Sequence, residues 1–225
     1  MPEPIPPSAL LYITAGCAHC PAVLEGLSRL VKEGRLARLE VVNLSADPKA
    51  AARAGIRAVP WTRIGPFELE GSLSPSELAY WTQAATDGAG WTAYYSHLLE
   101  TSRLAEVIAR VREKPATLGD LLGLLASEDT TLTTRIGIGA VVEELQGSDV
   151  LRAAIPQLEQ LALSALPAAR ADACYYLGLT GDPRVLPAVR RLLDDEEAQV
   201  REIALETLAL LGETEGYGKG DDDDA

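Results

Sequence analysis

The stretch Leu10-Leu11-Tyr12-Ile13-Thr14-Ala15-Gly16-Cys17-Ala18-His19-Cys20-Pro21-Ala22-Val23 sets two cysteines, two residues apart, between an apolar run and an amphipathic one. Leu10–Ile13 reads as a short strand that ends before Gly16. Ala18–Lys32 reads as a helix, with Val23, Leu27, Leu30 and Val31 on one face and Gly34 as its stop. Such a placement puts Cys17 at a helix N-terminus, where unpaired backbone N–H groups and the helix dipole favour the thiolate. Cys20 lies one turn deeper. Two intervening residues let the sulfurs meet across that turn, with Cys17 as the attacking thiol and Cys20 as the resolving one.

Moving outward, strand and helix alternate. Leu39–Leu44 is apolar on both sides, as expected of a strand buried between helix layers. Asp47 reads as the cap of a short helix with Pro48 at its first position, ended by Gly55. Ile56–Ile64 is an extended stretch interrupted by Pro60, and Phe67–Glu70 is a short strand closed by Gly71. Ser74-Pro75-Ser76-Glu77 is a capping box ahead of Leu78, Trp81, Thr82 and Ala85. The order is β-α-β-α-β-β-α.

The strand–CxxC–helix unit, the Val59-Pro60 dipeptide and Gly71 together resemble the thioredoxin superfamily, over residues 8–86. The resemblance implies an α/β thioredoxin-like domain with a redox-active disulfide at Cys17 and Cys20. It also implies that Pro60 is cis and faces the cysteines, with Val59 offering backbone hydrogen bonds to an extended substrate. His19, just before the second cysteine, is placed to stabilise the Cys17 thiolate and make the couple more oxidising. In this the motif is closer to the disulfide isomerases and the periplasmic disulfide oxidases than to reducing thioredoxins. Gly16 replaces the tryptophan that precedes the thioredoxin motif, and Leu39–Leu44 offers only Glu40 and Asn43 where a buried acid is usual. The direction of electron transfer stays open.

Beyond residue 86 the character changes. Residues 87–116 read as a bridge, with Trp91–Arg112 forming one or two amphipathic helices. From Thr117 the chain is wholly helical and repetitive. Arg170, Ala173, Leu177 and Gly181 recur 31 residues later as Arg201, Ala204, Leu208 and Gly212. A looser upstream copy carries Leu121, Leu122 and Leu125, then Arg135, Ile138 and Val142. Helix pairs at such a period bury their apolar faces only by stacking. The run from Asp182 to Ala204 resembles a HEAT-like repeat, and the resemblance extends over 117–212, an all-α HEAT-like domain after the thioredoxin-like one.

The chain has 225 residues, a net charge of −13 and 5% aromatic residues. Residues 213–225 contribute −5 of that charge and read as a solvated, disordered acidic tail. With no basic stripe to offset this sign, neither nucleic acid nor an anionic membrane surface is an expected partner. Met1–Pro7 lacks a signal-peptide pattern, and no stretch approaches the ~20 apolar residues of a membrane span. The expected compartment is the cytoplasm, where a close cysteine pair is catalytic or metal-binding more often than structural.

A zinc half-site is the competing reading of the pair. It needs two further ligands, with His19, His97 and Cys174 as the remaining donors and no second CxxC. No cofactor other than the disulfide and no metal are expected. His97 reads as a surface or packing residue, and Cys174 as a buried small side chain. Trp61 reads equally as a substrate contact or a packing residue. Arg135, Arg170 and Arg201 read as structural, pairing with loop carboxylates between stacked repeats. The expected function is a thiol–disulfide oxidoreductase acting on protein disulfides, its helical repeats choosing the partner. Thioredoxin reductase or glutathione is the expected electron donor. The alternative is a redox-responsive adaptor with little turnover.

Overall fold

In the computed structural model, which describes residues 5–46 and 48–212, the first apolar run becomes β1 (Ser8–Ile13). It is followed by α1 (Cys20–Lys32), β2 (Arg38–Asn43), α2 (Pro48–Ala54), β3 (Trp61–Ile64), β4 (Phe67–Glu70) and α3 (Pro75–Asp87). The element order is the one read from the sequence. These strands form one mixed sheet ordered β2-β1-β3-β4. β1 runs parallel to β2 and antiparallel to β3, and β3 is antiparallel to β4.

The register sorts the side chains. Leu11 lies opposite Thr62 and Thr62 opposite Leu69, while Ile64 pairs with both Ala9 and Phe67. All six are buried. Alternation along each strand puts them on one face, and α1 and α3 pack on β1, β3 and each other. From α1 the buried Val23, Leu27 and Leu30 line up at helical spacing; from α3 come Leu78 and Trp81, the latter 5.1 Å from Phe67 between ring centres. Full burial of each large aliphatic side chain here stabilises by ~1.5–3 kcal/mol relative to exposure. Gly26 permits the close approach of the helices, since a Cβ there would stand 2.5 Å from Leu78 Cδ1. The capping box at the start of α3 is complete: Ser74 Oγ accepts from the Glu77 N–H, and the Glu77 carboxylate accepts from the Ser74 N–H.

Two expectations for this half need correction. β2 is an edge strand, not one buried between layers, and Val41 is 40% exposed. Among the described residues, β1 is the only strand that pairs with it. The helix expected from Ala18 begins at Cys20, with His19 as its N-cap and Pro21 next. Proline has no N–H to donate and fits only in the first helical turn, so Pro21 holds the helix start close to itself. The expected cap Asp47 and the acidic segment 213–225 lie outside the described residues.

Contacts divide the chain between Gly90 and Trp91. The stretch read as a bridge supplies α4 (Trp91–Glu100) and α5 (Leu104–Glu113), which pack against each other and on α6 (Thr117–Leu124) and α7 (Leu132–Glu144). The compact helical unit therefore starts at Trp91 and takes in the stretch read as a bridge. The reason is burial: Tyr94, Leu98, Val107 and Val111 need the apolar faces of α6 and α7 to leave water. Next come α8 (Asp149–Ala153), α9 (Ile155–Leu161), α10 (Pro167–Leu179), α11 (Leu186–Arg191) and α12 (Ala198–Leu210). Short 3-10 turns, Pro183–Val185 and Leu192–Asp194, flank α11. α10 packs on α7, α9 and α12, so successive second helices stand side by side.

The recurring arginines tie this stack together. Arg135 donates to the Leu125 carbonyl and to Asp172 at 2.6 Å; Arg170 donates to the Ser164 and Ala165 carbonyls and, in a bidentate pair at 2.7 Å, to Asp195. Arg201 donates to the Asp195 and Glu196 carbonyls. Each therefore satisfies carbonyls in the turn before its own helix. Arg135 and Arg170 also reach a carboxylate of the next repeat: Asp195 lies in a loop, as expected, but Asp172 lies within α10, and the bonds of Arg201 go to carbonyls.

Arg170 and Asp195 are 9% and 7% exposed, whereas Arg112 and Glu144 are 57% and 52% exposed. Arg170→Ala is expected to destabilise the helical unit by ~3–5 kcal/mol, because Asp195 stays buried without its cation. Arg112→Ala should cost less than ~1 kcal/mol. Urea unfolding compares the two. Hydrogen bonding from Arg170 also holds the Asp195 carboxyl below its usual range. The unfolded chain consequently takes up that proton first. The pair's stabilisation is present in full above the ordinary carboxylate pKa of ~4 and drains as the pH falls through the lower folded value. Asp195→Asn should remove that part of the acid sensitivity in thermal melts across this range.

Candidate functional site

One end of the sheet gathers four chain segments. β1, β2 and β4 end there and β3 begins there, as their pairing directions require. The cysteine loop follows β1, Leu44–Ala46 follow β2, Val59-Pro60 precede β3 and Gly71 follows β4. Hydrogen bonds lace these segments together. The Leu44 N–H donates to the Ile13 carbonyl at 2.8 Å, Ala15 N–H to Ser45 Oγ at 2.9 Å, and Gly71 N–H to the Pro60 carbonyl at 2.9 Å. Tyr12 opposite Trp61 is the last pair of the β1–β3 ladder, so Pro60 comes next beside Ile13. The Val59–Pro60 bond is cis; Pro60 is buried and Val59 half-buried.

Cys17 and Cys20 are joined in a disulfide. Their environments differ. Cys17 is partly exposed, in the loop three residues before the first helical position, and Cys20 is only 3% exposed, as that first position. The helix end still acts on the outer sulfur: the Cys20 N–H, an orphan donor of the first turn, points at Cys17 Sγ at 3.1 Å. The Cys17 N–H donates back to the Thr14 carbonyl at 3.3 Å. His19 is exposed, and its side chain makes no capping hydrogen bond.

Ser45 was not legible as part of this site. Its hydroxyl braces the cysteine loop from a turn 30 residues away, and its own N–H donates to Asn43 Oδ1 at 2.9 Å. The local signal was the Asn-x-Ser turn. That the turn supports Ala15 follows only from the parallel pairing of β1 and β2.

Of the other candidate residues, Trp61 directly follows Pro60 at this end of the sheet, while His97 and Cys174 belong to the helical unit. Trp61 is 8% exposed and meets Tyr12 edge-on at 5.5 Å, which is packing. Cys174 is fully buried in α10, 3.8 Å from Thr207 Oγ1; burial pushes its thiol up to about 11, with the Thr207 hydroxyl partly offsetting this. His97 is half-buried on α4. Among the described residues, no group of three or more His, Cys, Asp or Glu side chains is placed to hold a metal ion. None of the described helices is long and apolar enough to cross a membrane.

Residues 152–217, less than a third of the chain, match the family model of HEAT repeats. The match begins within α8 and spans the two later helical repeats. No curated protein matches the chain.

In the reduced protein, iodoacetamide should modify Cys17 at least tenfold faster than Cys20, because exposure and the helix-end donor both favour the Cys17 thiolate. Cys174 should stay unmodified near neutral pH until the fold opens. Peptide mass spectrometry over time reads all three. Equal labelling of Cys17 and Cys20 would contradict the assigned asymmetry.

Proposed function

We propose that the sheet-containing unit is a thioredoxin-like domain and that the protein is a thiol–disulfide oxidoreductase acting on protein disulfides. The helical repeats select the protein on which it acts, and the expected compartment is the cytoplasm. One observation carries the reading: a CxxC-spaced disulfide whose outer sulfur is reachable and whose inner sulfur is buried at the start of a helix. The β-α-β-α-β-β-α order and the placement of Val59-Pro60 beside the cysteine loop support it.

In the reducing direction, the Cys17 thiolate attacks one sulfur of a substrate disulfide and forms a mixed disulfide, and the other substrate sulfur leaves as a thiolate that takes a proton. Cys20, deprotonated, then attacks Cys17 Sγ. The Cys17–Cys20 bond forms, the second substrate thiol departs, and two electrons have passed to the substrate. Thioredoxin reductase or glutathione must return them. The same steps reversed oxidise a substrate dithiol, and His19 keeps that direction open. Val59 would offer backbone hydrogen bonds to an extended substrate strand beside Pro60. The HEAT-repeat match favours a second reading, a redox-responsive adaptor whose docking changes on oxidation with little turnover.

Cys20→Ser, lacking a resolving thiol, should accumulate mixed disulfides with its substrate, identified by mass spectrometry, and adding Cys17→Ser should abolish them. Insulin reduction coupled to a thioredoxin reductase system separates turnover from the adaptor reading. Activity no higher than that of Cys17→Ser would leave only the adaptor.

A further inference from the structure

The second helices of the repeats carry apolar side chains that the core does not use. On α7, Leu132 and Ile136 are 73% and 64% exposed, one turn apart on the side away from the buried Ile138, Val141 and Val142. Tyr175 of α10 and Leu210 of α12 are 38% and 53% exposed. Two hollows of about 480 and 440 Å³ run across these helices and share Ala171, Asp172, Tyr175 and Ile203, so they form one continuous groove. Apolar surface grouped in this way is unusual on a protein that acts alone.

The charges of the groove are one-sided. Arg135 is the sole cation among its described lining residues, and it is bound to Asp172 at 2.6 Å. Glu143 borders the first hollow and Glu206 the second, with the Tyr175 hydroxyl donating to Glu143 at 3.2 Å. Residues 213–225 of the same chain carry a charge of −5, and a second copy would bring another −13. Neither complements an acidic rim.

We propose that the groove across α7, α10 and α12 docks an amphipathic helical segment of a partner protein. Apolar side chains of that segment seat between Ile136, Tyr175 and Leu210, and its Lys or Arg side chains meet Glu143 and Glu206. The segment is about 14 residues long, since ~20 Å of helix spans three side-by-side helices. The mode is helix-in-groove recognition, with charge setting the choice of partner. This deepens the reading that the repeats select the substrate. Its readout is equilibrium binding and uses neither Cys17 nor Cys20, so each idea can fail without the other.

The test is selection from a randomised library of peptides of that length displayed on phage, using the full chain as bait, followed by fluorescence anisotropy on the enriched peptides. Enriched peptides should be net basic, with apolar residues at helical spacing. Their binding should weaken at least tenfold for Ile136→Asp, and should fall with added salt. Because Ile136 is mostly exposed, that variant should unfold at the same urea concentration as the parent. Glu143→Lys combined with Glu206→Lys should shift enrichment toward acidic peptides. The proposal is overturned by any of four results: no enrichment, acidic peptides from the unmodified chain, binding that survives Ile136→Asp, or sedimentation showing self-association that Ile136→Asp abolishes.

Discussion

The pairing of β1 with both of its neighbours governs the first half of this protein. Because β1 is parallel to β2 and antiparallel to β3, the end of β1 falls beside the end of β2 and the beginning of β3. Three segments distant in sequence therefore meet at one end of the sheet. The cysteine loop is braced by Ser45 from one side and borders Pro60 on the other, where Gly71 closes the frame through the Pro60 carbonyl. The same register turns Leu11, Thr62 and Leu69 toward α1 and α3. It also leaves Tyr12 and Trp61 to pack on the opposite face. A slip of one residue would exchange those two sets and dismantle both core and site.

α1 links that frame to the chemistry. Its buried residues Cys20, Val23, Leu27 and Leu30 recur at helical spacing, so the side chains that dock the helix also bury the inner sulfur. The outer sulfur stands outside the first turn, where the Cys20 N–H has no carbonyl to bond and meets Cys17 Sγ instead. One geometric arrangement thus gives two chemically equal cysteines unequal access and unequal electrostatics. Packing of α1 sets the difference in access, and the free N–H of its first turn sets the difference in electrostatics.

The helical half solves a different problem. Each repeat must turn sharply between its two helices, which leaves turn carbonyls without helical partners. Arg135, Arg170 and Arg201 supply donors from the first turns of α7, α10 and α12, and the first two reach onward to Asp172 and Asp195. The buried Arg170–Asp195 pair is tolerable because its donors and acceptors are nearly all bonded. Tying the turns together sets α7, α10 and α12 side by side, and this creates the shared groove. Leu132 and Ile136 are two exposed apolar residues of one helix, and the row of neighbouring helices gives them a collective surface.

Local chemistry was enough to read the element order, the capping box at Ser74 and Glu77, the helix stop at Gly34, the 31-residue recurrence of the repeats and the pairing of Cys17 with Cys20. Each depends on residues within a few positions, or on a pattern repeated at fixed spacing. The edge position of β2, the burial of Trp61, the start of α1 at Cys20, the bracing by Ser45 and the inclusion of α4 and α5 in the helical unit were not readable in that way. They depend on which surfaces meet across tens of residues. An apolar run such as Leu39–Leu44 is written the same way whether one neighbour covers it or two, and only the pairing of strands and the packing of helices settles which.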